Sequence, residues 1–377
     1  KIFQTLNVVK DIPAEDLEAS ANAAEALLEY KFVQAIYLLN RTELPQIAYL
    51  TGNGQEKVET TIYDLGALIK DQYGLSMFDL KTGYPDAKIL KTLLIIKPTE
   101  PFTELDKLKL DQYVMNGGNI IWAIDKLYAS DDSIKKSNGN YVAFDRNLEL
   151  DDLLFKYGVR VNNDLVMDLQ CDFLPFDVNG NGQFDFLHWN YFPLFESKSN
   201  HIINKNLGLV SGRFVNSIDT IEVEGIKKTI LLSSSSNAKT IATPALISGK
   251  ENSNEPESDK FKKANIPVAV LLEGKFTSLF KNRVSQAITD SLEQYGVSFM
   301  QECITDNKII VVADGDMVLN SISKNEPLPM GVNPLTVGSQ YQYQFANATF
   351  LQNCLDYLLN PSNLSEAKAK DYTLRLL

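Results

Sequence analysis

The run Asp177-Val-Asn179-Gly-Asn181-Gly182-Gln183-Phe-Asp185 places oxygen ligands in the rhythm of a calcium-binding loop. Asp177, Asn179, Asn181 and Asp185 occupy loop positions that supply carboxylate or amide oxygens, and Gly182 falls where such loops turn sharply. The position of the bidentate glutamate that normally closes the shell holds His188. The expectation is therefore a weak calcium site, with Kd roughly 10⁻⁴–10⁻³ M. The alternative is a Gly/Asn turn that presents Phe184, Phe186 and Trp189 to the core. A second candidate is Asp314-Gly-Asp316, a carboxylate pair behind the apolar run Ile309–Ala313, where α/β proteins place their ligands. A third is Gly52-Asn53-Gly54, between a strand pattern and a helix pattern, which could hold an anion. It lacks the third glycine of a dinucleotide fold and the Gly-Lys-Ser/Thr of a P-loop, so ordinary turn chemistry is the expected reading.

Catalytic constellations are scarce. The chain has three cysteines, Cys171, Cys303 and Cys354, and two histidines, His188 and His201. No Cys/His cluster exists to hold zinc, which needs four convergent ligands. Ser233–Ser236 lack the flanking glycines of a nucleophile elbow, and none of the cysteines stands on a strand-to-helix turn. The 377 residues carry a net charge of −12. An acidic surface repels phosphate, so nucleic acid is not an expected partner and anionic vesicles should not retain the protein. No apolar run reaches the roughly 20 residues of a membrane helix.

The elements that position these residues follow from periodicity. Residues 1–10 alternate as a strand, and 19–39 repeat as a helix with Leu28, Phe32, Ala35 and Leu39 on one stripe. Buried strands are expected at Ile47–Leu50, Leu75–Leu80, Leu93–Ile96, Ile120–Ile124, Val268–Leu272 and Ile309–Ala313. Helices are expected at 56–73, after Thr103 (capped with Asp106, and with Leu105, Leu108 and Met115 inward), at 147–157 and at Asn347–Leu359. Arg160–Met167 is expected as one strand. Cys354 shares a face with Phe350, Leu351, Leu355 and Leu358 and should pack in the core. Apolar strands alternating with helices predict a doubly wound, mostly parallel α/β sheet.

Several segments, in order, resemble the GldG family of gliding-motility proteins of Bacteroidetes. They are Leu28-Glu-Tyr-Lys-Phe32, Ile47-Ala-Tyr-Leu-Thr-Gly-Asn-Gly54, Asp111-Gln-Tyr-Val-Met-Asn-Gly-Gly118 and Leu150-Asp-Asp-Leu-Leu-Phe-Lys-Tyr-Gly-Val-Arg160. Ile266–Arg283, Ile309–Asp316 and Tyr372–Leu377 complete the set. The turn Thr51-Gly-Asn53-Gly-Gln55 departs from the family's Glu-Gly-His-Gly-Glu, which leaves no general acid or base there.

The resemblance implies a non-enzymatic auxiliary subunit of an ABC transporter, with the permease GldF and the ATPase GldA as partners. It implies a fold similar to class I glutamine amidotransferases without their catalytic residues. It places this region in the periplasm, held to the inner membrane by anchors outside it. Residues 1–44 would be a strand and helix leading from a missing upstream domain, and 45–377 the auxiliary α/β domain. That domain would carry an irregular insertion at about 171–205, a mobile loop at about 248–263, and a C-terminal helix and strand leading to a membrane anchor. The alternatives are a hydrolase or amidotransferase-like enzyme on the same fold, or a calcium-binding interaction module. Apart from calcium, no cofactor is expected.

Overall fold

A computed structural model of the chain describes residues 28–41, 43–56, 60–70, 72–130, 140–177, 181–197, 199–205, 207–248, 258–283 and 285–360. The strand patterns at 1–10 and Tyr372–Leu377, and most of the loop at 248–263, lie outside the described residues. In chain order the first half holds α1 (Leu28–Asn40), β1 (Gln46–Thr51), α2 (Tyr63–Ile69), β2 (Gly74–Asp79), β3 (Leu90–Ile96), α3 (Glu104–Met115) and β4 (Asn119–Ala123). There follow β5 (Asn140–Ala143), α4 (Asp151–Tyr157), β6 (Val159–Val161), β7 (Asp164–Asp168), β8 (Cys171–Phe176), β9 (Asp185–Phe195), β10 (Val210–Ser211) and β11 (Ile218–Thr220). The rest comprises β12 (Ile226–Ser233), β13 (Ala238–Ala242), β14 (Ala245–Ser248), β15 (Pro267–Gly274), α5 (Gln286–Glu293), β16 (Asn307–Val312), β17 (Ile322–Ser323), β18 (Glu326–Pro327) and α6 (Asn347–Leu359).

A seven-stranded sheet in the order β12-β15-β16-β4-β3-β1-β2 forms the body. Strands β2, β1, β3, β4 and β16 are parallel, while β15 is antiparallel to both its neighbours, β16 and β12. The three strands expected as neighbours, β1, β3 and β4, pair directly and in parallel. Their unbroken apolar runs are buried on both faces, as a sheet covered by helices requires. The chain is thus α/β with a mostly parallel central sheet.

Helix α3 begins with a reciprocal cap. Thr103 Oγ1 accepts from the Asp106 N–H at 3.2 Å, and the Asp106 carboxylate accepts from the Thr103 N–H at 2.9 Å. Gly117, at φ +92, turns the chain out, and the Gly118 N–H donates to Tyr113 O at 3.0 Å. A side chain at Gly118 would strike the Tyr113 ring. Between these ends the helix is buried on almost every face, including Lys107, Lys109, Asp111 and Gln112.

Several expectations need correction. Among the described residues of 171–205, regular structure prevails: β8 and β9 pair antiparallel as a hairpin, with Phe173 opposite His188 and Leu174 opposite Leu187, and β10 extends it. His188 and Asn190 interrupt the apolar alternation, which hid the strand. The 147–157 helix starts at Asp151, because Asn147 and Glu149 sit at φ +50 and +59, outside helical space. The 56–73 helix is confined to Tyr63–Ile69 among the described residues. The strand at 160–167 divides at Asn162 and Asn163, since β6 pairs with β11 and β7 with β13. Leu105 is exposed, as are Phe32 and Leu39 on α1. The hairpin, β7 and β14 enclose a second apolar cluster around Trp189, Tyr191, Phe192 and Phe214.

Replacing Thr103 by Ala removes one half of the α3 cap. A loss of about 1 kcal/mol is expected. It should appear as a lower urea midpoint with an unchanged slope.

Candidate functional site

Three of the parallel strands deliver charged residues to the sheet's C-terminal edge: Lys97 after β3, Asp125 after β4, and Asp314 and Asp316 after β16. The Lys97 N–H donates to Ala123 O at 2.8 Å and the Ile124 N–H to Val312 O at 2.9 Å, so the ladder runs on into the site. Lys97 itself stands at φ +49, a conformation that β-carbon residues adopt at an energetic cost. Gly315 explains the close approach. A Cβ there would lie 2.6 Å from Lys97 Cβ, so no larger residue fits.

The carboxylates converge on the ammonium. Lys97 Nζ pairs with Asp316 and lies 3.5 Å from Asp125 Oδ2. Asp125 Oδ1 accepts from the Gly315 N–H at 2.6 Å. Asp314, fully buried, accepts from the Arg213 N–H at 2.8 Å and the Asp316 N–H at 2.8 Å. Burial opposes every one of these charges, and neighbours decide the outcome. Burial alone would lower the Lys97 pKa, but the Asp316 and Asp125 charges hold it above the ordinary lysine value. Burial would raise Asp316, yet Lys97 and Arg213 bring it below the usual carboxylate range. Asp125 stays raised by burial despite Lys97. Burial, together with the Asp125 and Asp316 charges, pushes Asp314 well up.

A cleft of about 350 Å³ opens beside this cluster, lined by Thr61, Lys97, Arg213, Phe214, Asp316 and Leu319 among others. The arrangement can hold polar ligand groups. Asp314 is sealed in and Asp316 is bound to Lys97, so neither is a free general base. Only Asp314 and Asp316 were marked by the sequence. Lys97, Asp125 and Arg213 were missed, although a charged residue directly behind an Ile-rich strand (Ile96-Lys97, Ile124-Asp125) was an available signal.

The other candidates have structural settings. The Gly52 and Gly54 turn lies at φ +105 and +73 and is closed against the loop after β3. Asn53 O accepts from the Thr99 and Glu100 N–H groups at 3.0 and 3.1 Å, and the Asn53 N–H is taken by Gln55 Oε1 at 2.8 Å. No open anion cradle results. Ser235 donates to Asp168 through both its N–H and hydroxyl. His188 Nδ1 lies 3.1 Å from Cys171 O, and its ring packs on Phe173. Cys171, Cys303 and Cys354 are free and buried. Burial raises the Cys171 thiol and pushes Cys303 up to about 11.

In the Asp177–Asp185 run, Asn179 lies outside the described residues. Asp177 accepts from the Asn181 N–H through Oδ1 and the Gly182 N–H through Oδ2, both at 3.1 Å. Both carboxylate oxygens thus serve the turn. Trp189 is buried, whereas Phe184 is 63% exposed and does not face the core.

Comparison with known proteins adds the following. The family model described as an ABC-type uncharacterized transport system matches residues 44–354. No curated protein matches the chain. Among solved structures, the mmIFT52 N-terminal domain aligns with a TM-score of 0.44 and 12% identity, over 84% of this chain and 98% of that one. Exo-beta-1,4-mannosidase Op5Man5 from Opitutaceae bacterium strain TAV5 aligns with a TM-score of 0.27 and 9% identity, over 79% of this chain and 35% of that one.

Two outcomes are expected here. Lys97→Met leaves buried Asp125 and half-buried Asp316 without their countercharge and should destabilise the fold by about 3 kcal/mol at neutral pH. In the wild type the depressed Asp316 contributes stability above its unfolded pKa and loses it as pH falls through the folded one. In the variant, burial acts on Asp125 without the opposing Lys97 charge and raises it further, so stability is lost as pH rises through its range. The deficit should therefore shrink toward acid pH in urea titrations. For the loop, calorimetric titration with calcium is expected to release no saturable heat. A saturable isotherm lost in Asp177→Ala would show that the carboxylate leaves its turn for the ion.

Proposed function

The chain belongs to the auxiliary family of an ABC-type uncharacterized transport system, and from this membership we propose that it is the periplasmic, non-enzymatic part of a membrane-anchored auxiliary subunit. The family match over residues 44–354 carries the reading, and association with an ABC transport system follows from it. The finer assignment is to the GldG type of Bacteroidetes, serving gliding motility, with the permease GldF and the ATPase GldA as partners. It rests on the resemblance of Leu150–Arg160 and Ile266–Arg283 to that family. No helix among the described residues is long and apolar enough to cross a membrane, so anchoring is assigned to segments outside them.

The non-enzymatic reading has its own support. The buried thiols are poor nucleophiles, since burial disfavours the thiolate. Ser235 is committed to Asp168, and the charged groups at the strand ends neutralise one another. An amidotransferase-like ancestry is part of the proposal. The strand order β2-β1-β3-β4 gives the sheet a reversal point between β1 and β3, as in doubly wound folds. The rival reading is an enzyme on the same scaffold. A weak calcium-binding role for Asp177, Asn179, Asn181 and Asp185 is secondary to both.

Affinity purification of the full-length protein from its own membranes is expected to recover a permease and an ATPase of the ABC type. Recovery of neither would sink the transporter reading. Turnover of a substrate abolished by a substitution in the Lys97 cleft would favour the enzyme.

A further inference from the structure

Strand β5 and its continuation to Arg146 pair antiparallel with two partners. Val142 lies opposite Leu246 and Ala143 opposite Ala245 of β14. Leu127 bridges to Asp145, and the Tyr128 N–H donates to Phe144 O at 2.8 Å. Side chains alternate strictly between the two faces of this ribbon. Leu127, Ala143, Ala245 and Ile247 point inward and are buried in the aromatic cluster. The residues between them, Tyr128, Val142, Phe144, Pro244 and Leu246, share the outer face, and all five are exposed. Tyr128, Val142, Phe144 and Leu246 keep between 36% and 61% of their surface open. An antiparallel sheet with one face in the core normally turns polar residues to water on the other. Here both faces are apolar, and a contiguous exposed apolar patch marks a contact surface. The charges at its margin are already engaged. Arg146 Nε donates to Leu127 O at 3.0 Å with the guanidinium over the Tyr128 ring, and Lys126 pairs with Asp151.

We propose that this face packs against the same face of a second copy of the chain, giving a two-fold dimer. Its five exposed side chains are uncharged, so two copies meet there without setting like charges opposite one another, as an isologous contact requires. Sheets stack face to face with their side chains interdigitating, and Phe144 and Leu246 are the large side chains that would do so here. Such packing would bury on the order of 1,000 Å² from the two copies together, the threshold of a specific interface, and so gives a weak, reversible dimer. Cover from the chain itself is disfavoured by composition. Segments 131–139 and 249–257, which adjoin the face in sequence, hold one large apolar residue between them, Ile134. An anionic bilayer is disfavoured by the net charge of −12. The inference is independent of the transporter reading and would survive its failure.

The test is sedimentation equilibrium of the 377-residue chain. A monomer–dimer equilibrium with Kd roughly 10–100 μM is expected. It should tighten at about 1 M sodium chloride, which screens the repulsion between two acidic copies and leaves apolar burial in place. Leu246→Lys, which sets an ammonium on each copy of the face, should weaken association at least tenfold at an unchanged thermal midpoint. Val142→Thr, which changes polarity and little else, should weaken it severalfold, and it keeps the test open if Leu246→Lys does not fold. Leu105→Lys alters an exposed leucine of α3 by the same charge and should leave the dimer intact. Phosphatidylcholine vesicles, which are uncharged overall, are expected not to retain the protein. The proposal is overturned if the wild type stays monomeric at several times the expected Kd, or if salt dissociates the dimer. It is equally overturned if Val142→Thr and a folded Leu246→Lys associate like the wild type, or if the vesicles retain the wild type and not Leu246→Lys.

Discussion

Carboxylates from the ends of β4 and β16 meet at one ammonium, and the register of the central sheet is visible in that meeting. Lys97 can reach Asp125 and Asp316 only because β3, β4 and β16 end at the same level, and they end there because their apolar runs, Leu93–Ile96, Ile120–Ala123 and Ile309–Val312, are matched in length. The apolar runs drive burial, and the ion cluster decides which burial is acceptable. A one-residue slip of β3 against β4 would leave charges in a dry interior. Gly315 belongs to the same constraint, since it alone lets the β16 loop close over Lys97.

The parts of the fold readable in the sequence are those where one rule acts alone. Strands buried on both faces read as continuous aliphatic runs, and β1, β3, β4, β15 and β16 were found for that reason. The Thr103–Asp106 cap is local in sequence and was equally legible. Helix α6 matches its expected bounds, Asn347–Leu359, because Phe350, Leu351, Cys354, Leu355 and Leu358 recur at helical spacing. The hairpin of β8 and β9 was missed because His188 and Asn190 sit among aromatic residues. His188 finds its partner in the Cys171 carbonyl, which no local pattern could announce. Much of the cleft was invisible for a similar reason. Arg213 arrives from a loop between β10 and β11, far in sequence from Lys97 and Asp316, and only the tertiary fold brings them together.

The two faces of the molecule divide the work of stability. The main sheet rests largely on aliphatic contacts, whereas the smaller layer around Trp189, Tyr191 and Phe214 is aromatic, with rings meeting at a tilt. The cleft lies where they meet, with Phe214 from the aromatic layer and Lys97 and Asp316 from the sheet. Ligands in open α/β folds lie beyond the strand ends, and here the second layer forms the opposite wall.

Helix α3 has a consequence of another kind. Its sequence, with Lys107, Lys109, Asp111 and Gln112, looks like that of a surface helix, yet each of these residues is tied inside. Lys109 Nζ donates to Leu80 O at 2.7 Å, Asp111 accepts from Ser278, Tyr157, Gln112 and the Leu279 N–H, and the Gln112 side chain bonds both ways with the Met300 backbone. No partial opening can free this helix without tearing the sheet's neighbours from three directions. Its backbone amides should therefore exchange with solvent deuterium only when the whole body unfolds. Helix α3 would then serve as an internal clock for global opening, against which faster, local motions elsewhere in the molecule can be timed.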